Sequence, residues 1–373
     1  MLELWERLCA LPHRGSASAF ERLAAKLLKE HLEAWGCRVQ TQTFKAPSSY
    51  GPELILAGLL LALGGGLAQW WLALLGVYAF WAHFSGWWTP WEGLFDRYWS
   101  QNLLAVSEQQ EAGNGKLEAQ SVLSPPAFVA PPKPRTLLLM AHYDSAKTFF
   151  IYSPAQVRQF RLNFLFNAAL ATVLPFACFL PLASKFIGLY FLLQAGLLVH
   201  RELTQPYVNG ANDNATGVAV ATQLFQELRL EPLPNYRVIL ALTGAEEVGA
   251  KGATHLARSG LVPPDALVLN IDNVGRGELF YAVGEGMLVF HPYTGALREL
   301  ARGMPGARPM EYRLAYFDTL PFVAKGNPCL SLIRLREGIP ANWHWLSDRP
   351  QNVDWTAVEE TLAYARALVR QLR

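Results

Sequence analysis

Charge is scarce in this chain. Asp, Glu, Lys and Arg make up 17% of its 373 residues, against about 25% in ordinary soluble domains, while 51% of the residues are hydrophobic. That balance excludes a disordered chain, which needs low hydrophobicity and high charge. Neither sign dominates: 32 Lys+Arg face 30 Asp+Glu, for a formal net charge of +2. A dedicated nucleic-acid binder is excluded with it. Cysteine is also sparse. Cys9, Cys37, Cys178 and Cys329 are far apart and form no C-x-x-C pair, which rules out a disulfide framework or a thiolate zinc knuckle and leaves buried free thiols. Residues 1–12 carry Glu3, Glu6 and Arg7 and lack an uninterrupted apolar core, so they are expected to begin a folded domain rather than a signal peptide.

Two stretches lack charge almost entirely. Between Glu53 and Glu92 there is no Asp, Glu, Lys or Arg, and from Phe164 to Val199 Lys185 is alone. Each block exceeds the roughly 20 residues of one membrane span, and each has room for two short spans. Gln69-Trp70-Trp71 is expected to turn the first block, and Pro181 to Lys185 the second. Trp70, Trp71, Trp87, Trp88 and Trp91 suit an interfacial aromatic belt. The competing readings are buried helical hairpins in a soluble core, or hairpins dipping into one leaflet.

The remainder alternates short apolar runs with helical patterns. The spacing of Phe20, Leu23, Leu27, Leu28 and Leu32 predicts a helix over 16–35. Strands are expected at 37–44, 102–106, 136–140, 238–242, 266–271 and 329–335, with helices over 218–230 and 355–372. Residues 107–134, rich in Gly, Pro and Ala, read as a long exposed, flexible loop. This pattern predicts an α/β fold: a three-layer sandwich around a mostly parallel central sheet.

Four of those strands are followed by polar chemistry. His142 and Asp144 follow the first, Glu246 and Glu247 the second, Asp272 the third, and His344 and Asp348 lie beyond the last. Asp213 sits in the turn that opens the helix over 218–230. Ligands of open α/β sheets bind at the carboxyl ends of the strands, so these groups should gather on one edge. Asp144, Asp213, Glu246, Glu247 and Asp272 would then share a cleft. Two like charges about 4 Å apart cost roughly 4 kcal/mol at an effective dielectric near 20. Such a cluster needs cations, and mixed imidazole and carboxylate donors suit zinc or a similar transition metal. Two divalent ions would roughly balance three ligating carboxylates and a hydroxide, which favours a dinuclear centre.

The motifs H-x-D, G-x-N-D-N-x-x-G, E-E and I-D-N-x-G with a late His, in that order, resemble the di-zinc aminopeptidase family, which includes glutaminyl cyclases and the transferrin receptor ectodomain. The resemblance covers 1–45, 100–150 and 205–373. It implies a zinc exopeptidase fold; the apolar blocks fall outside it and are expected to insert as membrane hairpins at 52–92 and 160–201. It further implies two zinc ions, with another divalent transition metal in one site as the alternative. His142 and Asp272 would hold one ion, Glu247 and His344 the other, and Asp213 would bridge them. Glu246 would be the general base. Asp144 would orient His142, Asn214 would follow a cis peptide bond from Asp213, Asp318 would line the cleft, and Asp348 is kept beside the late His. The pattern departs where His344-Trp-Leu-Ser replaces the family's more usual Thr-Pro.

The expected activity is removal of N-terminal residues from peptides with a free N-terminus. A glutaminyl cyclase-like acyltransferase and a membrane-bound binding protein with a vestigial site are the alternatives. One domain cannot pack across a bilayer, so each apolar block must return to the side it left. Lys45, Arg97, Lys147, Arg158, Arg161 and Arg201 flank the blocks on that side, and the positive-inside rule then places the catalytic domain in the cytoplasm. Beyond the lipid bilayer and the peptide no partner is implied, nucleic acid is not expected, and the oligomeric state is open.

Overall fold

A computed structural model describes residues 1–106 and 134–372; the loop read at 107–134 therefore lies, apart from Pro134, outside the described residues. The chain begins with α1 (Leu2–Cys9) and α2 (Ala19–Ala34). Ser18 caps α2 by accepting a hydrogen bond from the Glu21 amide, the usual remedy for unpaired N–H groups in a first turn. Next come β1 (Val39–Ala46), the hairpin of α3 (Gly51–Gly66) and α4 (Trp70–Ser85), the short α5 (Glu92–Phe95), β2 (Tyr98–Val106) and β3 (Arg135–His142). A second hairpin follows, α6 (Phe160–Ala177) and α7 (Pro181–Thr204). The rest is α8 (Ala215–Leu230), β4 (Tyr236–Thr243), α9 (Lys251–Arg258), β5 (Leu267–Asp272), β6 (Glu278–Glu285), β7 (His291–Pro292), α10 (Ala296–Gly303), β8 (Arg308–Tyr312), α11 (Leu320–Val323), β9 (Cys329–Leu335) and α12 (Trp355–Val369).

Among the described residues the strands form one sheet in the order β1-β2-β4-β3-β5-β9-β6-β7, with β8 also paired to β6. The centre, β4-β3-β5-β9, is parallel. The flanks β1-β2 and β9-β6-β7 are antiparallel. Alternation decides which face each residue joins. Leu137, Leu139 and Ala141 of β3 enter the core beneath α1, α2, α8, α10 and α12. Leu138 and Met140 face the other way, against Leu256, Phe317 and Phe322. The three-layer α/β architecture is as the sequence predicts.

Several boundaries differ for clear reasons. The second apolar block turns at 178–180, and Pro181 starts α7 rather than forming the turn, because a fixed φ and a missing N–H suit the first helical position. Trp70 and Trp71 likewise open α4, leaving 67–69 as the turn. The strand expected at 102–106 begins at Tyr98, drawn out by eight-residue pairing with β1. The strands β6, β7 and β8 had no clean period-two signal.

The two hairpins form a four-helix bundle with its own core, including Ala57, Leu61, Phe80, Ala168 and Phe191. Small residues let the helices approach closely, as in membrane bundles: a Cβ on Gly65 would lie 2.6 Å from the Ser184 carbonyl oxygen and 2.7 Å from Gly188 Cα. The outside stays apolar, with Leu63, Trp70, Phe176, Phe179, Leu182 and Phe186 exposed. The segments 157–177 and 181–204 are long and apolar enough to cross a membrane, and their most apolar windows are only 28% and 22% buried. Polar locks tie the bundle to the segments around the sheet. The buried Arg201 donates to the Lys147 carbonyl (2.7 Å) and to Glu202 (2.6 Å), and Lys251 lies between Glu53, Glu92 and Asp96. All four cysteines are buried.

Candidate metal centre

Parallel pairing brings the chemistry-bearing loops together. His142 ends β3, opposite Thr243 in β4. Asp272 ends β5, opposite Ile333 in β9. Glu246 and Glu247 follow β4, and His344 follows β9. Asp213 precedes α8. Its peptide bond to Asn214 is cis, as the resemblance implies. Asn214 caps α8 through Gly217 N–H (3.0 Å), also accepts from Asn273 N–H (3.2 Å) and donates to the Ile271 carbonyl (2.9 Å). The Asp213 turn is thereby tied to the end of β5.

Asp213 lies at the middle. Its Oδ1 is 3.3 Å from His142 Nε2, and its Oδ2 is 3.3 Å from His344 Nε2. Each histidine meets a second carboxylate: Asp272 Oδ1 lies 3.5 Å from His142 Nε2, and Glu247 Oε2 lies 2.9 Å from His344 Nε2. The two halves are close, since one ligand atom each from His142, Asp213 and Glu247 fall within 4.8 Å of one another. Glu246 Oε2 stands slightly apart, 3.9 Å from His142 Nε2.

The remaining predicted residues support this set. Asp144 is fully buried and lies 3.5 Å from His142 Nδ1. It also accepts from the Glu246 amide (3.0 Å), the Glu247 amide (3.2 Å) and the Ser16 hydroxyl (2.5 Å). Asp348 accepts from the Asn212 and Asp213 amides at 2.7 and 3.1 Å, so it holds the bridging residue by its backbone. Asp318 is buried and accepts from the Thr243 hydroxyl; the adjoining cavity wall is formed by Leu314, Ala315 and Tyr316 instead.

Electrostatics reflect a crowded anionic site. Burial pushes Glu246 well above the usual carboxylate range and Glu247 to about 7. Asp318 and Asp348 are likewise raised by burial to about 7. Burial would also raise Asp213, but hydrogen bonds from His142 and His344 hold it far below the ordinary value. Burial disfavours charged histidine, yet Glu247 and Asp213 lift His344 to about 10, and Glu246 and Asp272 lift His142 well above its usual value. Protons on the imidazoles thus neutralise the carboxylates. A divalent cation does the same more effectively, displacing those protons as it binds. The donor set fits: two Nε2 atoms converge on carboxylates, and Glu247 Oε1 is buried without a hydrogen-bond partner.

Sequence reasoning missed Arg14, Ser16, Asn212 and Tyr152. Arg14 is fully buried and donates to the carbonyls of Tyr143 (2.7 Å), Asn209 (2.8 Å) and Gly210 (2.7 Å), pinning the H-x-D and N-D-N segments together. Asn212 braces the same turn through the Gly275 amide (2.7 Å) and the Ala341 carbonyl (2.9 Å). The Tyr152 ring lies edge-on to His344, centroids 4.7 Å apart. These partners are 128 or more residues away for Arg14 and Ser16, beyond any local pattern. Asn212 alone had a signal, its place inside the N-D-N motif.

The family model for peptidase family M28 matches residues 128–369. The chain belongs to peptidase family M28. Membership places it, at family level, among hydrolases that use zinc. No curated protein matches the M28 chain. Solved structures do. A Zn-dependent exopeptidase from Parabacteroides distasonis aligns with 99% of this chain and 96% of its own, at 12% identity and a TM-score of 0.56. A glutaminyl cyclase from Tannerella forsythia aligns with 100% and 97%, at 14% identity and 0.56. Against a zinc aminopeptidase from Bacillus subtilis, the chain covers only 50% of that protein's length, with a TM-score of 0.43. At 12% and 14% identity, the likeness to the first two shows the fold.

Proposed function

We propose that this M28 peptidase is a membrane-associated aminopeptidase with a dinuclear zinc centre. One observation carries the reading: the two oxygens of Asp213 face two different histidines, and each histidine has its own second carboxylate. His142 and Asp272 would hold one ion, His344 and Glu247 the other, and Asp213 both. Zinc bound there supplies a water of lowered pKa and polarises the substrate carbonyl.

The chain's own groups do the rest. Glu246 takes the proton of the attacking water on Oε2 and returns it to the departing amine nitrogen. Asp144 orients His142 and fixes the Glu246–Glu247 turn. Glu247 and its neighbours offer negative charge to the substrate's α-ammonium. Glu246→Gln should retain zinc by elemental analysis while losing most turnover of aminoacyl substrates; unchanged turnover would overturn the role. The equal likeness to a glutaminyl cyclase favours a second reading, acyl transfer that cyclises N-terminal glutamine. Metal stoichiometry and assay on a glutaminyl peptide separate the two.

Our reading of the architecture is a discontinuous peptidase domain, 1–45, 100–150 and 205–373, carrying membrane hairpins at 52–92 and 160–201 with the domain on the cytoplasmic side. The exposed apolar flanks of α6 and α7 support it. Protease added to sealed vesicles should cleave the domain only when the cytoplasmic face is outward; the opposite pattern would reverse the orientation.

A further inference from the structure

A cavity of about 440 Å³ starts at Glu246, Glu247 and His344 and runs up into the helix bundle. On α6 its lining extends from Phe160 to Asn167, and on α7 from Leu198 back to Tyr190. At 1.5 Å per residue this is about 10 Å of depth between the helices. The volume falls within the range of small-molecule sites. The floor carries carboxylates, whereas the upper walls are apolar apart from Asn163, Asn167, Tyr190 and Gln194.

The bundle packs least tightly on one side. α7 packs mainly on α3, and α6 mainly on α4, so α6 and α7 meet sparsely. Phe166 lines the cavity and is 54% exposed. The Tyr190 hydroxyl reaches across the seam to Asn167 Oδ1 at 3.1 Å. Polar side chains at membrane depth are costly and mark pathways or cavities; here they sit along this seam.

Building on the aminopeptidase reading, we propose that the bundle is the pocket for the N-terminal side chain of the substrate, that this side chain is long and apolar or aromatic, and that it enters from the bilayer through the α6–α7 seam. Charge complementarity selects the occupant. Carboxylates at the floor call for a cationic α-amine, and the walls above call for hydrocarbon. A peptide N-terminus with an apolar side chain offers both, whereas an acyl chain without an amine offers the polar floor at Glu246 and Glu247 no hydrogen-bond donor.

Two measurements test this on the full zinc-loaded chain in phosphatidylcholine vesicles. The first compares kcat/KM for aminoacyl-coumarins with N-terminal alanine, leucine, phenylalanine and a long-chain alkyl residue. The wild type should prefer the long apolar residues, and Gln194→Trp, which fills the pocket, should reduce that preference about tenfold. No preference in the wild type, or a preference unchanged in the variant, overturns the proposal. The second photolabels the wild type with a dipeptide bearing an alkyl diazirine on its N-terminal side chain. Label should fall on 160–167 and 190–198; label confined to the peptidase domain or to the hairpin tips overturns the proposal. A protein that binds zinc and takes label in the bundle but cleaves none of the substrates refutes the aminopeptidase reading and leaves the pocket standing.

Discussion

Replacing Asp144 with asparagine tests how the site is held. The two Asp144 oxygens receive different donors. Oδ1 takes the Glu246 amide at 3.0 Å and faces His142 Nδ1 at 3.5 Å. Oδ2 takes the Ser16 hydroxyl at 2.5 Å and the Glu247 amide at 3.2 Å. An asparagine keeps one acceptor and presents N–H on the other side. Whichever way it turns, one backbone N–H of the Glu246–Glu247 turn then confronts a donor. A buried unsatisfied donor costs about 1–3 kcal/mol, and a hydrogen bond to a charged group contributes about 1.5–3 kcal/mol. The metal-free protein should therefore lose about 3 kcal/mol of stability. His142 also loses the anion beside Nδ1, and such partners are worth about 10–100-fold in metal affinity. Denaturant unfolding of the chelated protein reads the first effect, and zinc competition against a fluorescent chelator reads the second. Unchanged zinc affinity would refute the orienting role toward His142. Unchanged stability would refute the anchoring of the turn.

Other predictions concern groups farther away. Glu285 is fully buried, accepts from Tyr293 (2.7 Å), Thr319 (2.7 Å) and the Phe317 amide, and is raised to about 7 by burial. Its folded pKa exceeds its unfolded one, so its contribution is fully present below about pH 4.5 and is lost as pH rises through about 7, a swing of about 3 kcal/mol. Glu285→Gln should flatten stability across that window in melts at a series of pH values, and an unaltered slope would exclude Glu285 as its source. Gly65→Val places side-chain atoms against the α7 backbone near Ser184 and Gly188, which should cost about 1–3 kcal/mol as a lowered melting temperature in detergent; an unchanged melt would contradict the close α3–α7 packing.

The site's ingredients are legible because each sits where a local rule puts it. His142, Glu246, Glu247 and Asp272 follow apolar runs that read as strands, and parallel strands deliver their loops to one edge. The order of the motifs carries the family, which the match over 128–369 confirms. The bracing is less legible. Asp144 reads as a partner of His142, yet its hydrogen bonds go to Ser16 and to the Glu246–Glu247 turn, 128 and about 102 residues away.

Sequence alone determined the α/β pattern, the donor types and the two charge-poor apolar blocks, because periodicity, residue chemistry and hydropathy act over short spans. Tertiary structure decided the rest. It set which oxygen of Asp213 meets which histidine, buried Arg14 between two distant turns, and placed a cavity between the Glu246–Glu247 turn and the helix bundle. Arg14 reaches partners 129 or more residues away, and at such separations packing rather than local preference selects the neighbour.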